Sequence, residues 1–220
     1  MKPFIKTSSW LRFLGSATIA TALAVCAAQA ADTDSTTPNN ELTGNADATS
    51  FLKEAIEGNS SEIALAEVAQ RKAQNPQVKQ LASMIHKDHE KANKELKPIA
   101  RAHGVSINEK LDSKDHGTLE RFQKLSGTEF DKEYVTDMLK DHQKDIGKYE
   151  TAARTLQETD LKNYAQNTLP TLRNHLQQAK QAAQAIGMDQ SAISSIINKT
   201  PGAVGGTSDN TESQTGAGNK

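Results

Sequence analysis

Between residues 48 and 198 the apolar positions return every three to four residues, and no run alternates as a half-buried strand would. This spacing predicts four long amphipathic helices. The first covers about 48–74, with Phe51, Leu52, Ala55, Ile56, Ile63, Ala66 and Ala69 on its inner stripe. The sequence NPQ at 75–77 ends it. Asn75 can cap a helix, and Pro76 suits the first turn of the second one, about 76–102. Val78, Leu81, Ile85, Ala92, Leu96 and Ile99 share one face there. Pro98 is expected to bend or loosen the end of this helix and Gly104 to stop it. The next long helix, about 129–156, starts behind Thr128 as N-cap and turns Phe130, Tyr134, Met138, Ile146 and Tyr149 inward. The last, about 161–186, is capped by Asp160, kinked at Pro170 and stopped by Gly187. Its inner stripe is Leu161, Tyr164, Leu172, Leu176, Ala179, Ala183 and Ile186. Residues 190–198 can add a short terminal helix.

The loops carry topological information. Two joints are tight, but residues 105–128 form a long connection with its own short helix near 113–127, marked by Leu119, Phe122 and Leu125. A connection of that length can run back along a bundle, so that the second and third long helices are parallel. The expected fold is therefore all-α, a four-helix bundle with one long crossover, the ferritin-like arrangement.

The ends differ in character. Residues 1–30 combine Lys2, Lys6 and Arg12, an apolar middle, and Ala28 and Ala30 at small-residue cleavage positions. They read as a secretory signal peptide, too short in its apolar run to span a membrane as an ordinary helix. The expected location is the periplasm, or secretion. The alternative is a lipoprotein held at the membrane by a lipid anchor on Cys26, within LAVC, although Val25 is a poor fit just before the cysteine. Residues 31–47 and 199–220 are small and polar. They are expected to be a disordered linker and tail, since neither can bury enough apolar surface to offset ordering entropy. After Ala30 the chain carries 23 basic and 27 acidic side chains, a net of −4, with no basic stripe. That argues against nucleic acid as a partner, and no later apolar run suggests a transmembrane span.

Ionisable residues interrupt the inner stripes. IHKDH at 85–89 returns as MLKDH at 138–142, placing Asp88, His89, Asp141 and His142 on or beside the inward faces of two helices. Glu62 and His175 do the same on the other two. Measured from the joints at 1.5 Å per residue, Glu62 and His89 lie ~20 Å from one turn and His142 and His175 ~25 Å from the other. All four fall near mid-height. Three imidazoles and a carboxylate at one level suit a transition metal ion such as zinc, iron, copper or manganese. The candidate metal residues are Glu62, Asp88, His89, Asp141, His142 and His175. Each aspartate sits ~100° around its helix from the adjacent histidine, so it serves either as a ligand or as an acceptor for a ring N–H. The same layer also reads as a hydrogen-bonded polar core that only fixes helix register. His86, His103 and His116 read as surface or loop residues. The Glu-x-x-His pairs of di-iron ferritins are absent: His86, Leu139 and Leu172 stand three positions before His89, His142 and His175. No nucleophile–base motif or phosphate loop appears.

The segments SSEIALAEVAQRKAQNPQVKQLASMIHKDHEKANKEL, GTEFDKEYVTDMLKDHQKDI and NTLPTLRNHLQQA resemble a bacterial family whose members are commonly labelled predicted outer membrane proteins. Glu62, Asp88-His89, Asp141-His142 and Leu169-Pro170 through His175-Leu176 match its pattern, over about residues 50–186. Where many relatives have Leu-Pro after the Gly-Val, this chain has Ser106-Ile107-Asn108. The resemblance implies a secreted ferritin-like bundle with no established activity. Three roles stay open: metal binding in a stress response; a structural or interaction role in the cell envelope; and ferritin-like redox catalysis.

Overall fold

The computed structural model describes residues 40–108 and 110–200, with side chains from Asp47 onward. The expected signal peptide, the lipid-anchor alternative at Cys26 and nearly all of the expected tail lie outside the described residues. Within them there are six helices and no strand. They are α1 (Asn40–Lys72), α2 (Pro76–Ala102), α3 (Ser113–Lys124), α4 (Gly127–Thr155), α5 (Thr159–Ala185) and α6 (Gln190–Asn198).

Local chemistry sets most of the boundaries. Asn75 caps α2, its side chain accepting from the Gln77 amide at 2.9 Å. At the other end of α2, Gly104 takes φ 68°, a left-handed conformation that costs glycine little. This lets the Val105 amide reach the Ala100 carbonyl at 2.8 Å and the Gly104 amide reach Arg101 at 3.1 Å. Gly187 (φ 82°) closes α5 in the same way, with Met188 bonding to Ala183 and Gly187 to Gln184. Both α2 and α5 continue through their internal prolines, Pro98 and Pro170.

Four expectations need correction. Helix α1 begins at Asn40, inside the stretch expected to be a linker. Polar composition underrates a segment that only prolongs a docked helix, because each added residue gains a hydrogen bond without a new nucleation step. Ile63 is half-buried, whereas Glu62 is 6% exposed on the same face as Leu52, Ile56, Leu65, Ala66 and Ala69. Thr128 is not the N-cap of α4; Ser126 holds that position without a side-chain bond. Asp160 lies one residue inside α5, behind Glu158 as N-cap, and its carboxylate accepts from His103 Nε2 at 2.9 Å.

The packing runs α1 on α2, α2 on α5 and α5 on α4, with a looser seam between α4 and α1. Direction follows from contacts at the ends. The Asp131 carboxylate, near the start of α4, accepts from the Gln74 and Asn75 amides in the α1–α2 turn at 3.0 and 2.8 Å. The Asn75 side chain donates to the Ala185 carbonyl at the end of α5. At the opposite end, His103 after α2 meets Asp160 at the start of α5. Helices α2 and α4 therefore run parallel, and residues 103–126 carry the chain back along the length of the helices. Phe122 of α3 is fully buried against Phe130 and Tyr134, so this return segment is docked.

A candidate metal centre

His89 is the midpoint of α2, and His142 and His175 lie just past the midpoints of α4 and α5. With Glu62 of α1 they meet in one buried layer, between the aromatic group Phe122, Phe130 and Tyr134 and the group Phe51, Tyr149 and Tyr164. One ring nitrogen from each of the three histidines lies within 4.8 Å of the others. His142 Nε2 is 3.0 Å from His175 Nδ1 and 3.6 Å from Glu62 Oε2. Glu62 Oε2 is 3.0 Å from His89 Nε2, yet neither atom has a well-directed hydrogen bond.

The outer nitrogens decide what the inner ones present. Ser60 donates its single hydroxyl proton to the Ile56 carbonyl at 2.8 Å, so its oxygen must accept from Asn93 Nδ2 at 3.3 Å. That turns Asn93 Oδ1 toward Asn59 Nδ2, 2.8 Å away, and Asn59 Oδ1 toward His89 Nδ1, 2.7 Å away. An amide oxygen only accepts, so His89 Nδ1 carries hydrogen. His142 Nδ1 faces the Met138 carbonyl at 3.1 Å and His175 Nε2 faces Asp88 Oδ2 at 3.0 Å, so these nitrogens also donate. In the neutral imidazoles, His89 Nε2, His142 Nε2 and His175 Nδ1 are then bare lone pairs, gathered with a carboxylate oxygen. Such a group is stable only with a cation among its members, either a proton or a metal ion.

The electrostatics agree. Burial disfavours the Glu62 carboxylate, but His142 and His89 outweigh it and hold its pKa at about 2. Burial likewise opposes charge on His89, and Glu62 overcomes it, raising that pKa. His142, fully buried and beside His175 and His89, falls to about 4 despite Glu62, and burial also lowers His175. The layer therefore favours an ionised Glu62 and charge on His89, and disfavours charge on His142 and His175.

Of the six residues expected from sequence, Glu62, His89, His142 and His175 come together. Asp88 stands behind His175, on another helix, and not behind its neighbour His89. Asp141 stays on the exposed face of α4, outside the cluster. Sequence reading missed Asn59, Ser60 and Asn93, although Asn59 and Asn93 occupy stripe positions where helical periodicity calls for apolar residues. It also passed over Asp145, whose pKa rises to about 6 through burial and the nearby Glu62 charge. His86 pairs with Glu67 and Glu90, and His116 is exposed.

Residues 31–182 match the model of the family described as domain of unknown function (DUF4142), and the chain belongs to that family. The match contains the whole cluster. No curated protein and no solved structure matches the chain.

Proposed function

We propose that this DUF4142 domain is a secreted, ferritin-like four-helix bundle that binds one transition-metal ion through Glu62, His89, His142 and His175. The observation that carries this reading is the set of three ring nitrogens facing one another and a carboxylate oxygen, each imidazole held from behind by a hydrogen-bond acceptor. A carboxylate, a backbone carbonyl and an amide oxygen at the outer nitrogens are the partners that metal-binding histidines use to fix tautomer and ring orientation. The separations also suit an ion. Around a tetrahedral zinc with bonds of 2.0–2.1 Å, ligand atoms stand ~3.3 Å apart. The contacts here are 3.0, 3.0 and 3.6 Å.

Only one carboxylate, Glu62, is in contact with the imidazoles' inner nitrogens, which argues for one ion. The di-iron arrangement needs a Glu on each of two helices and Glu-x-x-His on the other two, and the chain offers neither pair. Three nitrogens and one oxygen accept zinc, iron, copper or manganese. The test is purification without metal, refilling with each of the four, and elemental analysis. One ion per chain is expected for the wild type and none for His142→Ala or Glu62→Gln. If no metal binds stoichiometrically, and these variants change only stability, the layer serves helix register alone, as in the structural reading.

A further inference from the structure

The buried centre is not sealed evenly. Helices α1 and α4 leave two cavities along their seam. One, about 610 Å³, is walled mainly by apolar groups and touches His89. The other, about 440 Å³, lies among α1, α3 and α4 and touches Glu62. Lys148 of α4 reaches Glu54 of α1 at 3.0 Å, and the two cavities share both residues, with Gly58, Lys144 and Asp145.

The second cavity is strongly acidic. Eight carboxylates line it against three lysines. Glu57, Asp115 and Asp141 among them form no ion pair with described residues, and Glu57 and Asp141 are exposed at its rim. Its inner end is Glu62, 6% exposed, whose Oε2 forms no well-directed hydrogen bond although His89 Nε2 stands 3.0 Å away. Negative potential at the mouth of a low-dielectric cleft concentrates cations and speeds their capture. A buried carboxylate oxygen without a well-directed hydrogen bond gives the arriving cation a first ligand.

We propose that this acidic groove between α1, α3 and α4 is the route by which a hydrated divalent transition cation reaches the imidazole layer. The proposal rests on the metal-site reading above. Glu57 and Asp115 attract the ion, with Asp141 in its ionised fraction, since burial and Glu62 push its pKa up to about 7; Asp145 takes it past the Lys148 bridge, and Glu62 delivers it to the three nitrogens. Gly58 keeps the passage open. It lies in the wall of both cavities, and a Cβ built on it meets nothing within 4 Å.

The test uses Co²⁺ as the probe, followed by its visible absorption in stopped-flow loading and by chelator-driven release. Glu57→Gln/Asp115→Asn/Asp141→Asn should load about tenfold more slowly, with a flatter dependence on ionic strength. A control with three carboxylates replaced on outer faces, Glu67→Gln/Glu90→Gln/Glu95→Gln, should load at the wild-type rate. Gly58→Leu should slow loading and release by the same factor and leave the equilibrium affinity unchanged, the mark of a blocked path. Far-UV circular dichroism and equilibrium stoichiometry verify the fold of each variant. Normal equilibrium uptake with unchanged rates in the triple and Gly58→Leu variants would overturn the route alone, as would equal slowing in the control. No Co²⁺ uptake by the wild type would remove the metal site and the route together.

Discussion

Ser60 is three hydrogen bonds removed from the imidazole of His89, yet its hydroxyl proton decides which nitrogen of that ring carries hydrogen. Replacing it with alanine frees the Asn93 amide to turn over and reverse the chain. Ser60→Ala should therefore weaken metal binding about tenfold while costing only about 1–2 kcal/mol of stability. Competition titration against a chelator and urea unfolding measure the two effects separately. The metal-free protein should also show His142 in its pH dependence. The folded pKa of His142, about 4, lies below its ordinary value of 6.5. Between those limits the unfolded chain binds more protons, so this residue's contribution falls as pH drops from 6.5 to 4. Glu62 acts lower: its stabilisation is present above 4.5 and is lost as pH falls toward 2. His89, raised above 6.5, works the other way, stabilising in acid and losing that effect as pH rises through its folded value. The stability of the wild type relative to His142→Gln should thus decline on acidification from pH 6.5 to 4. Urea melts across that range, in the presence of a chelator, would show a flat difference if His142 titrated normally.

Among the elements, the contact between the α1–α2 turn and α4 does most to align the layer. Asp131 is 2% exposed and accepts from two backbone amides, Gln74 and Asn75, at the N-terminal end of α2. Those amides have no partner within their own helix, and the positive end of the helix dipole favours the carboxylate there. Asp131→Ala would leave both amides buried or wet and should cost about 2–3 kcal/mol, read as a lower urea midpoint at unchanged slope. The docked end also fixes how far α4 slides along α2, and hence whether His142 meets the level of His89. The capping groups of α2 and the glycine stops of α2 and α5 were legible in the sequence, because a cap is a relation between residues a few positions apart. Asp131 was not. Its partners are 56 and 57 residues away along the chain, and nothing local marks an aspartate near a helix start as a cap for another helix.

For the whole molecule, the direction of the crossover is the feature most open to test. Spin labels at Gln74 and Glu129, in a Cys26→Ser background, should lie within ~20 Å of each other, because α4 starts beside the α1–α2 turn. Labels at Gln74 and Gln157 should be ~40 Å apart, the length of the 29-residue α4. An up-down-up-down chain would invert the two distances in a double electron–electron resonance measurement. The mid-height positions of Glu62, His89, His142 and His175 are nearly compatible with either direction, so the residue levels could not choose between them. The end contacts of Asp131 and His103 do. By itself the sequence determined the helices, most of their buried faces and the common level of four ionisable residues, since a period of 3.6 and a rise of 1.5 Å are properties of each helix alone. Only the tertiary structure decided that Asp88 serves His175, that Asp141 stays outside, and that Ser60, Asn93 and Asn59 orient His89. Each of those depends on which side chain of a different helix lies across the interface, and no periodicity within one helix carries that information.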